Sequence, residues 1–307
     1  MKYLEDNYIS VVTVVDNHSC DIENKIKDIS NVLSENFKNY ELIVVDNNAG
    51  REIRDKIENL SNRYVHIYLP VTHDSQSVIA AGSNVAIGDY IVEIPDLSLE
   101  IDYNIIIDMY KKCQEGNDFV FLTPKKTSFL SNIFYKILNK NLKSSIKSSI
   151  TSSIMTLLSR RGFNKTADLG NKMENRSLSY ILSGLKYDNI VYDMDYDNYR
   201  TFSQNYKLMM QTFIYYTDVI LKAAQKISML FFSVSIFFIF YSLYSYFFKN
   251  VISGWTSTVV VISIGFSGVF LIFSIIIRYL DNILKIVSNK KDYIYGSIEK
   301  KSEGEDI

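Results

Sequence analysis

The chain has 307 residues with 33 basic and 34 acidic side chains, so its balanced charge excludes the broadly basic surface of a nucleic-acid-binding protein. Its 3 histidines and 2 cysteines are too scattered for a zinc cluster. Cys20 and Cys113 are therefore expected to be reduced thiols in a cytosolic compartment. The first residues, MKYLEDNYIS, lack an apolar segment, so no cleaved signal peptide is expected.

Strand and helix patterns alternate through the first part of the chain. The run YISVVTVV (8–15) is continuously apolar and β-branched, which is typical of a strand buried on both faces. Further strands are predicted at 41–46, 65–70, 89–94 and 118–123, and helices at 22–33, 53–60, 77–88 and 105–113. This β-α-β alternation predicts a mostly parallel sheet with helices on both faces.

Polar residues follow the predicted strands where such sheets bind ligands, beyond the carboxyl ends. The candidates are Val15, Asp16 and Asn17 after the first strand, Asp46, Asn47 and Asn48 after the second, Thr72, His73 and Asp74 after the third, and Asp96 after the fourth. The glycine-rich motifs of dinucleotide-binding and P-loop proteins are absent from the sequence. An acidic site without a glycine-rich phosphate loop is therefore expected.

Two long uncharged runs occupy 227–248 and 251–277. About 20 apolar residues suffice for a helix to cross the hydrocarbon core, so both runs predict transmembrane helices joined as an antiparallel hairpin. Lys222 and Lys226 precede the pair, and Arg278, Lys285 and Lys290 follow it. By the positive-inside rule, both ends of the hairpin are expected in the cytoplasm.

A basic segment precedes the hairpin. Between the acids Asp118 and Asp168, every charged side chain is a lysine or an arginine. Its apolar residues Leu130, Ile133, Phe134, Ile137 and Leu138 follow helical spacing, and Leu142, Ile146, Ile150 and Ile154 continue the stripe. Such a helix suits an anionic membrane surface. An ordinary surface helix packed on its own domain is the alternative.

The order of these parts resembles the family-2 glycosyltransferases with the GT-A fold, and among them the polyprenyl-phosphate sugar synthases of the dolichol-phosphate mannose synthase type. The resemblance is carried by ISVVTVVDN (9–17), ELIVVDNN (41–48), GSNVAIGD (82–89), RYLDNILKI (278–286) and KKDYIYGSI (290–298). It implies an α/β fold: a Rossmann-like GT-A domain, amphipathic juxtamembrane helices and a C-terminal transmembrane hairpin. We accordingly divide the chain at 1–125, 126–220, 221–285 and 286–307.

The sequence departs from the family pattern at the metal motif. Counted from Gly88 and Asp89, the two acids of D-x-D fall on Pro95 and Leu97, and Asp96 takes the middle place. A shift by one residue places Asp96 on the second acid. Glu93 is expected on the opposite face, since side chains alternate along a strand. The first loop also lacks the family's proline and tyrosine, with Val14 and Asp16 in their places.

The resemblance implies a membrane-bound, inverting glycosyltransferase that moves a sugar from a nucleotide-sugar to a polyprenyl phosphate on the cytoplasmic face. Because that acceptor is already anionic, no strong general base is required. Asp96 is the implied catalytic residue and ligand of Mg or Mn. Val15, Asp16, Asp46, Asn47 and Asp74 are the nucleotide-binding candidates, and Lys125, Lys126, Arg160 and Arg161 are the candidates for the acceptor phosphate.

Two alternatives stay open. A lipid-linked saccharide in surface-polysaccharide assembly would need a catalytic base, for which Asp16, Asp74 and Glu100 are the candidates. The incomplete D-x-D motif instead favours a degenerate, non-catalytic member that binds a partner or acts as a scaffold for a flippase. In each case a cytoplasmic-membrane protein with cytoplasmic termini is expected, and the family suggests a homo-oligomer.

Overall fold

The computed structural model describes residues 4–17, 19, 21–58, 64–126, 129–141, 153–167, 175–195 and 297–301, with isolated helical positions between 210 and 283. Strands among them are β1 (Ile9–Val15), β2 (Tyr40–Asp46), β3 (Tyr64–Tyr68), β4 (Tyr90–Ile94), β5 (Phe119–Lys126), β6 (Met155–Ser159), β7 (Tyr187–Asp195) and β8 (Ser297–Lys301). Helices are α1 (Ile22–Asn36), α2 (Gly50–Glu58), α3 (Ser75–Val85), α4 (Ile105–Gln114), α5 (Phe129–Asn141), α6 (Arg160–Ala167) and α7 (Arg176–Leu182).

The eight strands form one sheet in the order β7-β5-β6-β4-β1-β2-β3-β8. Strands β4, β1, β2 and β3 are mutually parallel, and β5 is parallel to β7. Strand β6 runs antiparallel between β4 and β5, and β8 runs antiparallel beside β3. The predicted α/β architecture with a mostly parallel sheet is confirmed, and all five predicted strands are present.

Strand β1 is buried along its whole length, as its unbroken apolar run predicts. On one face, Ile9, Val11 and Val15 join a core with α1 and α4. On the other face, α3 packs so closely that a Cβ on Gly82 would lie 2.3 Å from Cγ1 of Val12. This contact requires glycine, and it fixes α3 directly over the centre of the sheet.

The chain divides into two compact units. The first comprises 1–139, 144–201 and 289–307 and contains the sheet. Since β6, β7 and β8 come from beyond residue 125, this unit extends past the domain boundary predicted there. The helical stripe predicted through Ile154 is wrong at that residue, because Ile154 is not helical: it directly precedes β6, and its N–H donates to Leu122 O of β5. Helix α5 is present, whereas 142–152 lie outside the described residues.

The second unit comprises 140–143 and 202–288. The two uncharged runs predicted to be transmembrane lie largely outside the described residues. Among the positions that are described, no helix is both long enough and apolar enough to cross a membrane. Exposed apolar side chains occur at the described helical positions Ile262, Val269, Phe273, Ile276, Leu280 and Ile283.

Candidate functional site

The four central parallel strands end at one edge of the sheet, here called the carboxyl edge, which is marked by Val15, Asp46, Tyr68 and Ile94. Every acid predicted to contact nucleotide or metal follows or ends one of these strands. The loops are joined to one another, because Asn47 N–H donates to Val15 O at 2.9 Å. The sheet therefore brings the predicted nucleotide-binding residues to a single edge.

The loop after β1 is a tight turn at Asp16. Ser19 N–H donates to the Asp16 carbonyl at 3.1 Å, and the Ser19 hydroxyl donates to Asp16 Oδ1 at 3.2 Å. Val15 is fully buried, so its backbone is all that it offers to a ligand. Asp16 is half-buried and Asn17 is exposed, which leaves this turn as an accessible part of the edge.

Asp46 stabilises the loop after β2 from within the protein interior. It has no exposed surface, and its Oδ1 accepts from Ala49 N–H at 2.7 Å. Its Oδ2 accepts from Arg54 Nε at 3.2 Å, and the Arg54 guanidinium lies 3.8 Å from the centre of the Tyr68 ring. Since both carboxylate oxygens have protein partners, the geometry gives Asp46 a supporting position rather than an exposed one.

Asn47 connects the loop after β2 to the loop after β3. Its Oδ1 accepts from His73 N–H at 2.9 Å, and its Nδ2 donates to His73 O at 3.0 Å. The side chain is thus a two-bond bridge between neighbouring loops. It is nearly buried, so both bonds are made away from bulk water, where a lost partner is costly.

Asp74 is the N-cap of α3. Its Oδ1 accepts from the N–H groups of Gln76 and Ser77 at 3.1 and 3.2 Å, and its Oδ2 accepts from the Ser77 hydroxyl at 2.7 Å. A carboxylate in this position satisfies amides that have no partner within the helix. The structure therefore gives Asp74 a structural role at the carboxyl edge, and its predicted contact with nucleotide stays a prediction.

The loop after β4 carries Asp96. Asp96 Oδ1 accepts from the N–H of Ser98 at 2.8 Å and from its hydroxyl at 2.6 Å, which forms an Asx turn. Beneath this turn lies the ammonium of Lys25, a nearly buried residue of α1 that donates to Leu97 O at 2.7 Å. The sequence offered one signal for Lys25, since it occupies an apolar position of the α1 stripe between Ile22 and Ile26.

Glu93 lies on the opposite face of β4, as strand alternation predicted. Its carboxylate pairs with Arg176 of α7 and accepts from the hydroxyls of Tyr180 and Ser83 at 2.8 and 2.7 Å. Glu93 and Arg176 are 4% and 5% exposed, so this is a buried ion pair within hydrogen-bonding side chains. The backbone N–H of Arg176 also donates to Gln76 Oε1 at 3.0 Å. No local sequence pattern indicated a role for Arg176.

A divalent cation held by protein alone would need several oxygen ligands. The described residues contain no group of three or more histidine, cysteine, aspartate or glutamate side chains able to hold a metal. Glu93 is committed to Arg176 on the other face, and Asp46 is fully buried. Mg²⁺ can also be bound through one or two carboxylates together with ligand phosphates, a mode that needs no such group of side chains.

The predicted acceptor-phosphate residues fall at two different edges. Lys125 and Lys126 end β5, which is parallel to β4 through β6, so they lie at the carboxyl edge and are exposed. Lys125 Nζ pairs with Asp193 at 3.0 Å. Arg160 and Arg161 follow Ser159, whose partner is the first residue of β4, so they lie at the other end of the strands.

Both arginines are engaged by the protein at that end. Arg160 donates from Nε to Gly88 O at 2.9 Å and from Nη2 to Ala86 O at 2.8 Å. Arg161 forms a two-bond contact with Asp118, at 2.8 and 2.6 Å. The length of β4 separates both arginines from its carboxyl end, where Asp96 lies, and their predicted contact with an acceptor phosphate stays a prediction.

Comparison with known proteins identifies the fold. No protein-family model and no curated protein sequence matches the chain. Among solved structures, glucosyl-3-phosphoglycerate synthase from Mycobacterium tuberculosis in complex with phosphoglyceric acid matches with a TM-score of 0.51 and 15% identity. The same enzyme with Mn²⁺, UDP and glucosyl-3-phosphoglycerate, and with Mn²⁺, UDP-glucose and phosphoglyceric acid, matches with a TM-score of 0.50 and 17% identity in each case. Each match covers 68% of this chain and 78% of the other. These likenesses show that the chain has the GT-A-type α/β fold found in that glycosyltransferase.

Proposed function

We propose that the protein is a glycosyltransferase that takes a sugar from a nucleotide-sugar and transfers it to a phosphorylated acceptor. The observation that carries this proposal is the gathering of polar loops at the carboxyl edge of a GT-A-type sheet, where Asp16, Asn47 and Asp96 follow the adjacent strands β1, β2 and β4. In open α/β sheets, ligands bind at this edge. Solved neighbours of the same fold contain UDP or UDP-glucose, which supports a nucleotide-sugar as the donor class.

The loop after β1 is the proposed nucleoside contact. Asp16 and Asn17 are accessible there, and a Cβ on Gly50 would lie 3.5 Å from Asn17 Oδ1, so the β1 and β2 loops are in close approach. Asp46 stabilises the β2 loop through Ala49 and Arg54, and the Asn47 side chain bonds that loop to the β3 loop through His73. Rigid support of this kind lowers the conformational cost of binding a ligand.

Asp96 is the proposed ligand of a Mg or Mn ion shared with the donor diphosphate. Such an ion would offset the negative charge that develops on the departing diphosphate. The protein's own contribution is to hold the Asp96 carboxylate in one orientation through the two bonds from Ser98. Because these bonds are made before any ligand arrives, binding does not have to order the loop.

For the acceptor, we propose polyprenyl phosphate at the cytoplasmic face of the membrane. An acceptor phosphate is already anionic, so positioning and electrostatic stabilisation can supply most of the catalysis. Lys125 and Lys126 are exposed cations at the same edge and are the proposed partners of that phosphate. The proposal agrees with phosphoglyceric acid in the solved neighbours, which is also a phosphorylated acceptor.

A membrane location is supported by two features of the second unit. The sequence has two long uncharged runs, and Val269, Phe273, Ile276, Leu280 and Ile283 are exposed at helical spacing. An exposed apolar face of this kind is typical of a surface that contacts lipid or another protein. These features support the two-helix hairpin with cytoplasmic termini as part of the proposal, whereas the inverting mechanism and a homo-oligomer rest on the family resemblance alone.

A second candidate is a nucleotide-binding member without transferase activity. It is favoured by the commitment of two acids to arginines, Asp46 to Arg54 and Glu93 to Arg176. Transfer to a lipid-linked saccharide is the remaining alternative. Among its base candidates, Asp74 is engaged as a helix cap, which leaves Asp16 and the exposed Glu100.

The test supplies radiolabelled nucleotide-sugars to membranes from cells that produce the full chain. We expect an organic-extractable, acid-labile product, and its loss in Asp96→Asn. Asp102→Asn is the matched control, because Asp102 also accepts from the N–H two residues later, at 3.0 Å, but lies beyond the Asp96 loop. Nucleotide binding without product from any sugar would favour the non-catalytic candidate. Product that requires phosphoglyceric acid would replace the lipid acceptor with a soluble one.

A further inference from the structure

Lys25 is an unusual residue for the buried side of a helix. It lies on the face of α1 that carries Ile22, Ile26 and Ile29, all of them core residues, and it is itself 6% exposed. Removing an ammonium from water is unfavourable unless it is paired and hydrogen-bonded. The position of Lys25 therefore requires strong partners within the protein.

Those partners are the oxygens of one loop. Lys25 Nζ lies 2.7 Å from Leu97 O, 3.2 Å from Ser98 O and 3.5 Å from Leu99 O. It also lies 3.3 Å from the carboxylate of Glu100, whose side chain is 93% exposed. Three successive carbonyls and a carboxylate around one positive charge resemble the oxygen ligand set of a bound cation.

This arrangement fixes the shape of the loop. Successive carbonyl dipoles that point to one place repel each other, and an internal positive charge is what makes their convergence favourable. The same loop carries Asp96, whose turn is closed by Ser98, and Ser98 O is one of the three carbonyls that Lys25 contacts. The ammonium and the Asp96 carboxylate thus act on the same short segment.

We propose that Lys25 is a positioning residue for the donor site: its ammonium is an internal cation that holds the Asp96 loop in its binding conformation. This inference rests on the proposed function. Lys25 lies on α1, far from this loop in sequence. Without its ammonium, the loop would have to be ordered when the ligand binds.

The test removes the ammonium and then returns it. Lys25→Ala leaves space for the missing propylammonium group, and Lys25→Met removes the charge but keeps most of the apolar stem. Lys27→Ala is the matched control, since Lys27 is exposed on the same helix. Deuterium exchange is measured at the amides of 97–101, and binding is measured for UDP and UDP-glucose with Mn²⁺, using the full chain.

We expect Lys25→Ala and Lys25→Met to exchange faster at 97–101 and to bind UDP-glucose at least ~10-fold more weakly, because charge-assisted hydrogen bonds are lost. Propylammonium should restore both quantities in Lys25→Ala, and the uncharged 1-propanol should not. Lys27→Ala should match the wild type. Folding is scored with and without propylammonium, and a variant that folds only with the amine is compared with the wild type in its presence, where UDP-glucose binding decides.

Three results would overturn it. The first is unchanged exchange at 97–101 in both Lys25 variants, and the second is equal rescue by propanol. The third is faster exchange with undiminished UDP-glucose binding, which would leave Lys25 a structural role alone. If the wild type binds no nucleotide, the proposed function fails, and with it the assignment to a donor site, whereas the exchange measurements still decide whether Lys25 orders the loop.

Discussion

The buried ion pair between Glu93 and Arg176 provides the sharpest test of how the sheet and α7 are held together. The perturbation is Arg176→Met, which removes the guanidinium and keeps an unbranched side chain. It leaves the Glu93 carboxylate buried, with the hydroxyls of Tyr180 and Ser83 as its remaining donors at 2.8 and 2.7 Å. Glu93→Gln is the reciprocal change, which leaves Arg176 charged and without its counter-ion.

The expected cost follows from burial. Breaking a buried ion pair by removing one partner costs about 3–5 kcal/mol, because an uncompensated charge remains. Two hydroxyl donors still solvate Glu93, so we expect the lower end, about 3 kcal/mol, for Arg176→Met. The double variant Glu93→Gln with Arg176→Met removes both charges and keeps an acceptor for both hydroxyls. It should therefore cost less than either single change.

The assay is urea unfolding of the full-length protein, followed by far-UV circular dichroism, with thermal unfolding as a second measure. A loss of about 3 kcal/mol corresponds to a fall of roughly 6–12 °C in Tm for a unit of this size. Lys125→Met is the control, because the Lys125–Asp193 pair is exposed and such pairs contribute about 0–1 kcal/mol. A double variant that costs the sum of the two single changes would refute the reasoning, since the two side chains would then be independent.

Three further predictions concern single sites in the sheet unit. Gly82→Ala should lower stability by about 1–3 kcal/mol in urea unfolding, because its Cβ would lie 2.3 Å from Val12 Cγ1, and a stable variant would contradict the packing. Burial raises the pKa of the Cys113 thiol to about 12, so in a Cys20→Ser protein we expect a thiol reagent at pH 8 to label it only after unfolding. Asn47→Asp replaces the donor to His73 O with an acceptor and should weaken UDP-glucose binding about 10-fold or more, whereas wild-type affinity would show that the bridge is dispensable.

The central strands were predictable because a strand buried on both faces must be apolar without interruption. Strand β1 and the apolar part of β2 show this pattern directly, and the acids that follow them mark the ends of the strands. The turn residues at Asp16 and Asp96 were therefore placed at the correct edge from the sequence. The sequence could not show which of these acids are engaged by the protein. Asp46 and Asp74 are engaged by partners that only the folded chain brings to them.

The antiparallel strands were not predicted. Strand β6 lies beyond a long basic segment, and β8 comes from 297–301, far from its partner β3 in sequence. Their residues are less continuously apolar, so the pattern that revealed β1 is weak in them. The same limit explains Arg160 and Arg161, whose position opposite the start of β4 depends on the antiparallel pairing of β6.

By itself, the sequence determined the alternation of strands and helices, the edge at which polar loops gather, and the face of β4 to which Glu93 belongs, because these follow from the local periodicity of burial. Only the tertiary structure decided which charges meet. Lys25 reaches a loop 72 residues away, and Arg176 reaches a strand 83 residues away. Local patterns do not reveal such contacts: the sequence shows only that Lys25 is a charge at an apolar position of α1, and it does not indicate the partner of either residue.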